Sequence, residues 1–159
     1  MTIKKQKLRG PFEWLKPNAI VLIRHNLSAV FLNEQLQRAS VSGHWEVVKH
    51  LLECGNKRID PSTYNNQAFR SASWHGHAKI VKLLLECGDE RIDPSADNNF
   101  AIRKASKNGH AGIVKHLLEC GDERIDSSAD NNYAIRKARQ NGHFEIVKLL
   151  EEEIAAMKS

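Results

Sequence analysis

The sequence predicts an all-α solenoid of stacked helix-turn-helix units. Three observations carry this. Gly-His recurs at Gly43-His44, Gly76-His77, Gly109-His110 and Gly142-His143, 33 residues apart each time. Cys54, Cys87 and Cys120 keep that period, and so do the Asn-Asn pairs at 65–66, 98–99 and 131–132. Self-similarity at a fixed period marks an array of one supersecondary unit rather than a domain around a central core. Arrays present surface, so binding is the expected activity.

Each unit carries two apolar patterns. The first is short: Ala68, Phe69 and Ala72, then Ala101, Ile102 and Ala105, then Ala134, Ile135 and Ala138. The second comes after Gly-His: Ile80, Val81, Leu84 and Leu85, then Ile113, Val114, Leu117 and Leu118. Spacing of i, i+1, i+4, i+5 is one face of a helix. The glycine between the two patterns suits a tight turn, because positive φ is cheap only for glycine. A polar loop rich in Gly, Asp, Asn and Pro succeeds the second helix, as in Gly88–Asn99. Ile59, Ile92 and Ile125 are expected to anchor these loops.

The units are placed at about 32–64, 65–97, 98–130 and 131–159. The ends depart from the pattern, as ends with one uncovered face should. Gln35 replaces an alanine in the first unit. Glu151 replaces a leucine in the last and is followed by Glu152 and Glu153, which suggests a charged carboxy-terminal cap. Residues 1–31 fit the repeat poorly. Pro17-Asn18 is expected to start a capping helix through His25, with Trp14 and Leu15 packing beside it.

Composition narrows the class further. Apolar residues make up 41% of the chain, enough for a packed core. No apolar run is long enough to span a bilayer, and no signal-type apolar core comes after Lys4, Lys5, Lys7 and Arg9, so neither a membrane nor a cleaved export signal is expected. The net charge is +5. Residues 1–31 hold six Lys/Arg and only Glu13 as an acid, so the repeats are neutral overall. A basic end is compatible with RNA, an anionic surface or a nuclear signal, and equally with a solvated terminus.

The frame Gly-His…Leu-Leu…Gly resembles the ankyrin repeat over roughly residues 32–155. The third unit reads Phe100-Ala-Ile-Arg-Lys-Ala-Ser-Lys-Asn-Gly-His110, then Ile113-Val-Lys-His-Leu-Leu-Glu-Cys-Gly121. The departure is in helix 1, where the family's Thr-Pro-Leu-His becomes Asn-(Phe/Tyr)-Ala-Ile-Arg. Asn66, Asn99 and Asn132 are therefore expected to substitute as N-caps. The loop Ile-Asp-Pro-Ser-Ala-Asp-Asn-Asn is similar to those of ankyrin arrays in large amoebal DNA viruses and some protists. The resemblance implies an L-shaped stack of antiparallel helix pairs with short hairpin-like loops. It also implies a concave partner-binding face, a histidine that ties the helix turn to nearby backbone, and no catalytic residues.

Metal and disulfide chemistry fit poorly. Stacked helices lie about 8–10 Å apart, whereas a disulfide needs Cα atoms about 4.4–6.8 Å apart and zinc ligands must converge on one ion. The cysteines are expected to be small buried spacers, and free thiols suit a reducing compartment. No cofactor is expected. No Gly-rich phosphate loop or nucleophile with a nearby base stands out, so the chain is expected not to be an enzyme.

Arg70, Arg103 and Arg136 form a ladder at one helix-1 position, joined by Lys104, Lys107, Lys137 and Arg139. Pairing with Asp97, Asp130 or other loop acids is one reading, and a docking face for an acidic partner is the other. The two residues before each Gly-His vary most: Val41-Ser42, Trp74-His75, Lys107-Asn108 and Gln140-Asn141. Trp74 is unlike its equivalents, and binding hot spots favour Trp. Trp45 and Phe144 are expected to pack over helix 2. The candidate partner-binding residues are Trp74, His75, Lys104, Lys107, Lys137, Arg139 and Gln140; Trp74, Lys107 and Gln140 are expected in an exposed row, one repeat apart, with Lys104 and Lys137 flanking it. The expected function is a monomeric, cytoplasmic adaptor or scaffold for a protein partner. The rival is nucleic-acid binding through residues 4–9 and the helix-1 basic stripe, with the nucleus as the alternative location.

Overall fold

The computed structural model of the chain describes residues 28–54 and 58–156. The expected capping helix, Trp14, Leu15 and the basic residues 4–9 lie outside the described residues. Eight helices succeed one another: α1 Ala29–Ser42, α2 Trp45–Cys54, α3 Thr63–His75, α4 Ala78–Glu86, α5 Ala96–Asn108, α6 Ala111–Glu119, α7 Ala129–Gln140 and α8 Phe144–Ala156. There is no strand among the described residues. None of these helices is long and apolar enough to cross a membrane. The odd-numbered helices pack side by side in chain order as one layer, and the even-numbered helices do the same as a second.

The core runs between the layers. Ile80, Val81 and Leu84 of α4 are buried, as are Ile113, Val114 and Leu117 of α6 and Ile146, Val147 and Leu150 of α8. They meet Ala68, Phe69 and Ala72 of α3 and the matching residues of α5 and α7 in one cluster. Alanines at the odd-layer positions let the helices approach closely, and each fully buried Ile or Leu contributes about 1.5–3 kcal/mol. Ile59 and Ile92 are buried beneath their loops, and Ile125 is partly so.

The helix turns repeat in detail. Gly43, Gly76, Gly109 and Gly142 have φ between 75° and 83°. The His77 ring lies over Gly43 and its Nε2 sits 3.0 Å from the Val41 carbonyl oxygen. His110 does the same to the Trp74 carbonyl at 2.9 Å, and His143 to that of Lys107 at 3.1 Å. A carbonyl only accepts, so Nε2 carries the proton in all three. Each repeat thus holds the turn of the one before it.

The start of helix 1 differs from expectation. Tyr64-Asn65-Asn66, Asp97-Asn98-Asn99 and Asp130-Asn131-Asn132 all adopt left-handed φ/ψ, with φ of 53–59°. The N–H groups of Asn66, Asn99 and Asn132 donate to the carbonyls of Ser62, Ser95 and Ser128 at 2.7–2.8 Å, closing one left-handed turn before the right-handed helix begins. The asparagines are therefore not N-caps. Their side chains serve the junction instead: Asn66 Oδ1 accepts the Asp93 N–H at 2.9 Å, and Asn99 Oδ1 that of Asp126 at 2.8 Å. Asn33, within the right-handed α1, accepts from Asp60 at 2.8 Å in the same way. The unit boundaries expected at 64/65, 97/98 and 130/131 fall inside these turns. Asp and Asn tolerate the left-handed region better than other L-residues, which explains their recurrence there.

Arginine holds the turn. Arg70 Nε donates to the Asn65 carbonyl at 2.8 Å and Arg103 Nε to that of Asn98 at 2.8 Å. Their Nη1 atoms reach Asp97 and Asp130 of the next repeat, each at 2.8 Å. The first junction lacks both partners: Gln37 stands where the others have Arg, and Tyr64 where they have Asp. Gln37 Nε2 donates to Thr63 Oγ1 at 3.3 Å. Installing the pair as Gln37→Arg with Tyr64→Asp is expected to raise stability by about 1 kcal/mol, from a partly covered ion pair and relief of an aromatic residue at positive φ. A urea midpoint unchanged or lowered in the double variant would show that the first junction differs from the other two.

The loops are successive turns rather than paired hairpins. Ile92 N–H donates to the Asp89 carbonyl at 3.0 Å and Ala96 N–H to that of Asp93 at 3.2 Å. Arg91 forks onto both Asp89 oxygens, at 2.6 and 2.9 Å, and reaches back to the Ile59 carbonyl at 2.9 Å. Arg124 repeats this with Asp122 and the Ile92 carbonyl. The hydrogen bonds from these arginines hold the Asp89 and Asp122 carboxyls below their usual range. A carboxyl depressed in the folded state stabilises above its unfolded pKa, and that contribution disappears as pH falls through the folded value. Stability is therefore expected to fall on acidification below about pH 4, and less steeply in the Asp89→Asn/Asp122→Asn variant. Parallel acid titrations of the two proteins, monitored by helical circular dichroism, check this.

Two side-chain expectations are corrected. Cys87 and Cys120 are free and at the surface, not buried spacers. Each comes directly after the last helical residue, and its Sγ–H turns back to the Leu84 or Leu117 carbonyl. Phe144 is 77% exposed rather than packed over helix 2. Its equivalent Trp45 is covered by Lys79 of the next repeat, whose Nζ lies 5.0 Å from the ring centroid. No described repeat lies beyond that of Phe144.

Candidate partner-binding face

The outer side of the odd-numbered layer carries a run of rings and cations across α3, α5 and α7. Trp74, in the last turn of α3, is 49% exposed. Its ring centroid lies 5.6 Å from that of Phe100 at the start of α5's right-handed part. His75 stacks beside Trp74 at 6.3 Å. Lys104 sits among three rings, with Nζ 5.9 Å from Trp74, 5.4 Å from Phe100 and 5.3 Å from Tyr133 of α7. Lys137 Nζ lies 5.9 Å from Tyr133. On the same helices Arg70 lies 5.3 Å from the Phe100 centroid and Arg103 5.4 Å from that of Tyr133.

Helical spacing explains the arrangement. Phe100 and Lys104 are i, i+4 on α5, and Tyr133 and Lys137 are i, i+4 on α7, so each ring and cation share a face. One repeat of displacement then puts Lys104 between the rings of its own helix and of both neighbours. Each such contact is worth about 0.5–1 kcal/mol where water reaches it. Lys104 and Lys137 are consequently half-buried rather than exposed as expected. Their alkyl stems lie among rings.

Charge on this face is unbalanced. Arg70 and Arg103 are neutralised by Asp97 and Asp130. Arg136 bonds only the Asn131 and Asp130 carbonyls. Lys137 Nζ donates to Gln140 Oε1 at 2.7 Å. Among the described residues, Lys104, Lys107, Arg136 and Lys137 have no ion-pair partner.

Six of the seven expected residues fall on this side. Trp74 and Lys107 occupy equivalent sites, each with its carbonyl bonded by an Asn and a His of the next repeat: Asn108 and His110, then Asn141 and His143. Lys107 lies one turn beyond Lys104, and Gln140 one turn beyond Lys137. Arg139 is elsewhere. It stands where Ser40, Ser73 and Ser106 are buried between repeats, and in the last described repeat it pairs with Glu151 at 2.5 Å. This Arg–Glu pair covers part of the face a further repeat would occupy.

Phe100 and Tyr133 were missed as site residues. Their signal was present in the departure Asn-(Phe/Tyr)-Ala-Ile-Arg and in the lysines four residues further on. Among the described residues no three His, Cys, Asp or Glu side chains converge as metal ligands would. The arrangement offers ring faces, ammonium groups and a half-exposed indole. Set against models of known protein families and against curated proteins, the chain matches none.

Proposed function

We propose that the chain is an ankyrin-type repeat module that works by docking a protein partner on the outer side of α3, α5 and α7, as an adaptor or scaffold without catalysis. The 33-residue frame, the two-layer helix stack and the histidine that ties each turn to the next repeat support the family reading. One observation carries the functional reading above others. A half-exposed tryptophan, with Lys104 against its ring, heads a row of helices that carries four cations with no acidic partner among the described residues, and the backbones of those helices are cross-linked from repeat to repeat. A rigid surface with an aromatic anchor and unspent positive charge favours a partner bearing carboxylates, and loses little entropy on binding it.

The test is affinity purification from the native cell with the intact chain and with Trp74→Ala/Lys107→Glu as parallel baits. One stoichiometric protein, retained by the first bait and lost from the second at matched thermal stability, is the expected result. Retention of generic RNA or DNA that falls steeply with salt would instead favour a nucleic-acid function.

A further inference from the structure

The docking face is not uniform along the array. The exposed row at the ends of α1, α3, α5 and α7 reads Val41, Trp74, Lys107, Gln140. Val41 and Trp74 are two of the five large apolar side chains exposed among the described residues, at 39% and 49%. The parallel row one turn earlier reads Arg38, Ser71, Lys104, Lys137. In the first repeat Glu34 stands four residues before Arg38 on α1, so that stretch carries no net charge, and in the second Arg70 is spent on Asp97. Uncompensated cations therefore begin at the third repeat, with Lys104 and Lys107, and continue to Lys137 and Arg136 in the fourth. One end of the face is apolar and near neutral, and the other is cationic.

We propose that this face, if it docks a protein as inferred above, reads an extended acidic segment in a fixed register; the register rests on that docking role. One bulky apolar side chain of the segment seats on Trp74, beside Val41 of the preceding repeat. Carboxylates about three and about six residues away from it meet Lys104/Lys107 and Lys137. The spacing comes from geometry. Packed helices stand about 8–10 Å apart, and an extended chain advances about 3.3 Å per residue, so one repeat corresponds to about three residues of partner. The rings fix the lysines in place. Lys104 is held within 6 Å of three ring centroids and Lys137 within 6 Å of Tyr133, so both ammonium groups are positioned before the partner arrives. Carboxylates suit such ammonium groups, which remain accessible on their outer side. A second copy of this chain is the poorer occupant, because it would bring its own Lys-rich face to this one.

The experiment is selection of a displayed library of random dodecapeptides on the intact chain, then fluorescence polarisation of the enriched peptides. The expected result is enrichment of one large apolar residue with Asp or Glu three and six positions from it. Affinity should fall at least tenfold with Trp74→Ala, and at least tenfold with Lys107→Glu plus Lys137→Gln. Moving the acids by one position in the peptide should cost a similar factor. Lys107→Glu alone, at an exposed site, serves if Lys137→Gln lowers the melting temperature. Peptides that need Trp74 but carry no acidic bias or no three-residue spacing would overturn the register and leave the docking face standing. Enriched peptides indifferent to every one of these variants would overturn the docking face itself, and the register with it. No enrichment at all, or binding of poly(U) or of a second copy in place of peptide, would also overturn the register.

Discussion

Gly109→Val is expected to destabilise the protein by about 3 kcal/mol or more, and Gly142→Val by only about 1–2 kcal/mol. Both glycines close a helix turn, with φ of 80° and 75°. An L-residue at such an angle costs about 1–2 kcal/mol, and a β-branched one sits at the upper end. What separates the two sites is the next repeat. A Cβ at Gly109 would lie 2.7 Å from Cε1 of the His143 ring, whereas at Gly142 nothing lies within 4 Å. Displacing the ring also breaks its bond to the Lys107 carbonyl, and a lost hydrogen bond costs about 0.5–1.5 kcal/mol. Urea denaturation with matched slopes measures the difference. Equal midpoints for the two variants would refute the idea that each histidine locks the preceding turn.

Trp74→Ala is expected to weaken partner binding by about 2 kcal/mol or more, close to thirtyfold in Kd. The indole is half-exposed and its ring contact with Phe100 is modest, so most of what the side chain contributes is available to a partner rather than spent on folding. Lys107→Glu isolates the electrostatic part. Its side chain is exposed, and reversal should chiefly slow association and alter its salt dependence. Lys104→Glu is a poorer probe, because a carboxylate placed among three ring faces in a half-buried site costs folded stability as well. Titration calorimetry with the purified partner, with thermal melts of each variant, separates these cases. A Trp74→Ala variant that binds as tightly as the parent would move the docking site away from this face.

Much of the fold was legible because the frame residues act locally. The Gly-His period located the turns, and the i, i+1, i+4, i+5 apolar spacing located the buried faces of α4, α6 and α8. The left-handed turns were not legible. Asn and Asp favour an N-cap and a positive φ for the same reason, a short polar side chain near the backbone, and only the chain path to the next loop decides between them. The candidate site was half legible. Trp74, Lys107 and Gln140 stood out because they differ where the frame repeats. Phe100 and Tyr133 did not, because an aromatic residue at the start of a helix reads as packing until its neighbours one repeat away are known. Arg139 stands off the side of the other candidates, and Phe144 is exposed rather than packed, for a single reason. Their positions are covered by the next repeat in earlier units, and their exposure depends on whether such a neighbour is present rather than on the sequence around them.

The links between repeats also give the array a mechanical character. Asn66 to Asp93, Arg70 to Asp97 and His110 to the Trp74 carbonyl all tie α3 to the chain that enters, forms or leaves α5, and the equivalent three links tie α5 to the chain around α7. A chain pulled by its two ends meets a series of nearly identical latches in line with the load. Each latch that opens frees one unit of 33 residues, about 110 Å of slack at roughly 3.3–3.6 Å per residue. Extension then proceeds in equal steps, with tension rebuilding between them. The exception is the first junction, where Gln37 and Tyr64 replace the Arg–Asp link, and that latch is the one built to give at lower load.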